Sequence, residues 1–144
     1  MVASCVNIAS ASSPRGPIAG TADGQGVLDE DHLERMTLGD RVLEREVLEI
    51  FIRQNTVMLA RITDAKPEVA AAAAHALAGS ACGIGAWRLA RAAERLERAG
   101  NAGGPGGEDN LDEAIAELKS ASLEAGAAIG ARLNKRALWV AAAR

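Results

Sequence analysis

The stretch KPEVAAAAAHALAGSACGIGAWRLARAAERLER, residues 66–98, decides the fold. Its opening pair, Lys66-Pro67, breaks whatever precedes it, because proline is tolerated in a first helical turn and not inside one. An alanine-rich run follows, with few β-branched residues and leucine and isoleucine at helical spacing. That pattern predicts a helix from about Glu68 to Gly83. Gly83-Ile84-Gly85 suits a tight reversal, since glycine accepts backbone angles that other residues resist. A second helix is expected from about Ala86 to Arg98. Two helices joined by so short a link lie antiparallel.

Working outward, the flanking sequence supplies more helices of the same kind. Asp29 is a suitable N-cap for a short helix carrying Leu33 and Met36, ending near Thr37-Leu38-Gly39. Asp40 opens a long helix to about Thr63. Its buried stripe is expected to be Leu43, Val47, Ile50, Phe51, Gln54, Met58 and Ile62, widened by Leu48, Ile52 and Leu59. Downstream, Asn101-Ala-Gly-Gly-Pro-Gly-Gly107 reads as a loop. A last helix begins near Asp109, with Leu111, Ile115, Leu118, Ser122, Ala125, Ile129 and Leu133 on one stripe. The end of the chain, Ala137 to Arg144, either extends this helix or packs back on the bundle. The expected fold is all-α: an antiparallel up-down four-helix bundle with a short additional N-terminal helix. Residues 27–137 form the bundle, 138–144 a C-terminal extension, and 1–26, rich in Ala, Ser, Gly and Pro, a flexible N-terminal tail.

Composition agrees and narrows the function. Apolar residues make up 49% of the 144 but aromatics only 2%, so the core must come from alanine and leucine, which favours helices over strands. A net charge of −3 gives no reason to expect nucleic acid or an anionic membrane. No apolar run approaches the roughly 20 residues of a membrane helix, and no basic-then-apolar leader opens the chain. Cys5 and Cys82 do not resemble a disulfide framework and fit a reducing compartment. The expectation is a cytoplasmic monomer.

One histidine stands out. On a helical wheel at about 100° per residue, Leu77, Ala81 and Ile84 group with Ala70 and Ala74 as the inner face. His75 lies nearly opposite. The wheel places Ala71, Ala72, Ala78, Gly79 and Cys82 beside it, all small. Gly79 is informative, because a mid-helix glycine costs about 1 kcal/mol relative to alanine and so asks for a reason. Taken alone, His75 would be an exposed polar residue and nothing more.

The string that contains it says otherwise. His75-Ala-Leu-Ala-Gly-Ser-Ala-Cys-Gly-Ile-Gly-Ala86, with Leu89 and then Leu96-Glu97, resembles the histidine-phosphotransfer (HPt) domain family of two-component phosphorelays. His75, Leu77, Gly79, Ser80, Ala81, Ile84, Gly85, Ala86 and Leu89 match its pattern, and the resemblance spans about residues 27–133. It implies an up-down bundle and relay of a phosphoryl group between aspartates of receiver domains, carried on Nε2 of His75. It implies as partners response-regulator receivers or a hybrid histidine kinase, with Mg²⁺ supplied by the receiver and no cofactor of this chain's own. Without a phosphate-binding glycine loop or an acidic cluster for Mg²⁺, a phosphotransfer intermediate is expected, not an autonomous kinase.

One position departs from the pattern. The family usually has lysine before the glycine, where this chain has Ala78, and Arg88 is the candidate to replace that charge. The same departure supports an alternative: a non-catalytic module of this shape that docks on a kinase or receiver without accepting phosphate. Arg88, Arg91, Arg95 and Arg98, relieved by Glu94 and Glu97, form a basic stretch bordering the expected docking surface. His32 is expected to face solvent, and Trp87 and Trp139 to pack. Cys82 shares the His75 face but lies too far along the helix for a Cys/His dyad.

Overall fold

The computed structural model describes residues 27–103 and 107–142 of the chain, and all regular structure among them is helical. In chain order the helices are α1 (Glu30–Met36), α2 (Arg41–Thr63), α3 (Pro67–Ile84), α4 (Trp87–Ala102) and α5 (Gly107–Ala142). α2 to α5 form the bundle, and α1 lies against α3. The N-terminal tail expected at 1–26 lies outside the described residues, as do Cys5 and residues 104–106 of the glycine-rich loop.

The ends of these helices follow from local chemistry. Asp29 caps α1 by accepting the His32 N–H, and Asp40 caps α2 by accepting from Val42 and Leu43. Pro67 occupies the first turn of α3, where its missing N–H costs nothing. At the other end Gly85 adopts the left-handed region, φ 81°. The Gly85 N–H donates to the Cys82 carbonyl and the Ala86 N–H to that of Ala81, the two bonds of a Schellman close. A side chain here is blocked twice over, since a Cβ would also lie 2.9 Å from the carbonyl oxygen of Asp29. The last helix runs without a break through the 137–138 boundary to Ala142, so residues 138–142 extend α5.

α3 and α4 are held together by small residues. Ala70, Ala71, Ala74, Ala78 and Ala81 of α3 are buried, as are Ala90, Ala93 and Gly100 of α4. At Gly100 the approach is closest, because a Cβ there would come within 2.6 Å of the Pro67 carbonyl oxygen and 2.9 Å of Ala71 Cβ. Leu77, Leu89, Leu96, Leu118 and Ile129 fill the space behind. The α5 stripe is as expected, with Leu111, Leu118, Ser122, Ala125 and Ile129 buried and Ile115 and Leu133 packed at its margin.

The α2 stripe differs from expectation. Leu43, Ile50 and Gln54 face outward, and the buried positions are Glu44, Leu48, Phe51, Asn55 and Ile62. The helix is turned because two polar residues have partners inside. Glu44 forms a two-pronged pair with Arg132 of α5, at 2.8 and 3.3 Å, and Arg132 also meets Glu30 of α1 at 2.7 Å. The hydrogen bond and charge of Glu44 hold the guanidinium above its ordinary pKa. Asn55 donates to Ser122 Oγ at 2.7 Å.

Among the described residues no helix is long and apolar enough to cross a membrane. Two stability effects are expected. Glu44→Ala leaves Arg132 with only the exposed Glu30 as partner and should cost about 1–3 kcal/mol, and Gly100→Ala should cost about 1–3 kcal/mol by overpacking. Chemical denaturation of each variant measures both.

Candidate functional site

His75 lies on the outer side of α3, leaning toward α4. Its side chain is 50% exposed, and Nδ1 lies 3.0 Å from Glu97 Oε1. The register that makes this contact is fixed by the reversal at Gly85 and the close approach at Gly100. Ala71 meets Gly100, and one turn further along α3 His75 meets Glu97. An ionised carboxylate only accepts, so in a neutral ring this contact favours the Nδ1–H tautomer, with the lone pair on Nε2. Nε2 lies on the far side of the ring from this contact. A carboxylate so placed holds the ring plane and favours one tautomer, as it does for a metal-bound histidine.

The surface beside the ring is open. Ala72 and Ala76 are exposed, and a Cβ added to Gly79 would meet nothing within 4 Å. Two of the small residues expected there are elsewhere. Ala71 and Ala78 are buried against α4, because the inter-helix contact lies closer to the His75 side than the wheel alone suggests. Cys82 is half-buried.

Arg88 does not replace the missing lysine. It pairs with Glu124 of α5 at 2.9 Å, on the far flank of α4, nine residues before Glu97, or about 13 Å along the helix. Arg95 is likewise taken by Glu117 of α5. All four arginines of the basic stretch are exposed, and Arg88 and Arg95 are the two whose charges are paired with α5.

His32 is a further correction. It is half-buried, edge-on to Trp87 with ring centroids 4.8 Å apart, and its Nε2 is enclosed without a partner among the described residues. Trp87 packs as expected and donates from Nε1 to Asp29 Oδ2 at 3.0 Å. This cluster braces the α3–α4 reversal. The side chain of Trp139 lies outside the described residues.

In the sequence Glu97 stands within the motif without a role of its own. The signal was its place on α4: helices reversing at Gly83–Gly85 bring residues roughly equidistant from the turn together. Nitrogen-detected NMR of the neutral ring should show His75 as the Nδ1–H tautomer. In Glu97→Ala, Nε2–H should become populated while helical content is unchanged. An unchanged tautomer would remove Glu97 from the site.

The Hpt domain family matches residues 46–121, just over half of the chain, and the match includes His75 and Glu97. No curated protein and no solved structure matches the chain. A bundle in which α3 and α4 present this histidine and carboxylate, together with that match, makes the chain a member of the Hpt domain family, the phosphotransfer modules of two-component systems.

Proposed function

We propose that this chain is a phosphorelay intermediate in which His75 accepts a phosphoryl group from the aspartyl phosphate of one receiver domain and passes it to the aspartate of another. The observation that carries this reading is the half-exposed His75 ring with Nδ1 held by Glu97. In the accepting step the Nε2 lone pair attacks phosphorus, the P–N bond forms, and the bond from phosphorus to the receiver's aspartate oxygen breaks. The imidazole gains positive charge, and Glu97, beside the Nδ1 hydrogen, opposes that charge. The donating step is the reverse, with a second aspartate as nucleophile.

Most of the work of phosphoryl transfer is positioning and charge neutralisation. The receiver supplies Mg²⁺ and its own acidic pocket, and this chain supplies the nucleophile and a clear surface. Receivers, alone or as part of a hybrid histidine kinase, are the partners this division requires. The chemistry belongs to the cytoplasm.

The departure at Ala78 favours one second reading, a docking module that binds without accepting phosphate. The two are separated by one assay. Incubation with a phosphorylated receiver should place an acid-labile, base-stable label on the wild-type chain, and His75→Ala should abolish it. Absence of label with every receiver tried, together with binding unchanged in His75→Ala, would establish the docking module instead.

A further inference from the structure

Glu94 is a buried carboxylate of α4, one turn before Glu97, that the proposed chemistry leaves unused. It is 6% exposed, and its Oε1 is enclosed with no hydrogen-bond partner among the described residues. A buried carboxylate without a partner is costly, because water's solvation of the charge is lost and nothing replaces it. Glu94 lies three residues before Glu97, so the two are neighbours on one stripe of α4. The register that sets Ala71 against Gly100 and His75 against Glu97 brings Ala78 level with Glu94. There α3 offers only the methyl of buried Ala78 and, next to it, the open surface over Gly79.

Resting on the function proposed above, we propose that Glu94 is a specificity residue that receives a lysine or arginine side chain of the docking receiver, entering over Gly79 beside His75. Charge selects the occupant. Two carboxylates one turn apart, one of them with an unmet acceptor, fit a cation and repel an acidic group. Shape agrees, since the cleared surface at Gly79 admits a long, thin side chain.

The test uses the receiver domain that labels His75, with transfer rates measured against receiver concentration for the full chain. Glu94→Gln keeps the shape and removes the charge. It should raise KM at least tenfold, leave kcat within about twofold, and flatten the dependence of KM on salt. Ala78→Lys should raise KM similarly, because an ammonium supplied from α3 occupies the same carboxylate. A higher melting temperature in Glu94→Gln with unchanged KM would assign Glu94 to the fold alone and overturn the proposal. If His75 takes label normally while both variants keep wild-type KM, only this inference falls. If no receiver labels His75, the proposed function falls and this inference with it.

Discussion

The close approach of α3 and α4 is the constraint on which the rest of the molecule depends. Alanine and glycine line both sides, and at Gly100 there is no room even for a methyl group. Interaxial distance follows the size of the side chains at the contact, so these residues bring the two backbones unusually near. Each alanine buries little surface, but it also loses no side-chain freedom on being buried. A core almost without aromatic residues is therefore sustained by many small contacts of low entropic cost, backed by a layer of leucines. The functional consequence is reach. A glutamate on α4 can hold the ring of a histidine on the outer side of α3 only because the helices are this close and in this register.

Polar contacts then set how the other helices sit on that pair. The Glu44–Arg132–Glu30 group joins α2, α5 and α1, and Asn55 with Ser122 joins α2 to α5 lower down. Leucine stripes alone would tolerate rotation or sliding of α5 against α2. A two-pronged guanidinium–carboxylate pair does not, because its geometry is directional. The energy of such pairs is smaller than their number suggests, since removing charges from water offsets much of the attraction. Their contribution is better described as selecting one arrangement among several that bury similar apolar area.

Much of this was legible in the sequence. Asp29, Asp40, Pro67 and Gly85 announce helix ends through chemistry confined to a few neighbours, and all four act where expected. The α5 stripe was also readable, because its inner residues are apolar or small. The α2 stripe was not. Glu44 and Asn55 point inward for partners 88 and 67 residues away in the chain, and nothing in their neighbouring sequence announces those partners. His32 was misplaced for a related reason: its burial is made by Trp87, which the fold brings over it. The site divides the same way. His75 and Gly79 stand in one local string, whereas the role of Glu97 exists only once α4 has folded back. Arg88 was credited with reach that its pairing with Glu124 denies it.

The alanine at position 78 joins packing to chemistry. It is buried among the small residues of α3, so a lysine in its place would have to run its stem out of the packed interior before its charge reached the surface. The small residue that suits the tight contact is thus the one that removes a cation from beside the ring. Under the proposed function, a phosphoryl group on Nε2 would carry negative charge into surroundings that already hold Glu97 and Glu94. Like charges a few ångströms apart in a partly desolvated site raise the energy of the phosphorylated state. That weakens the chain as a store and strengthens it as a donor. Transfer is then controlled by what the arriving receiver brings, its metal ion and its basic side chains, more than by groups fixed on this bundle.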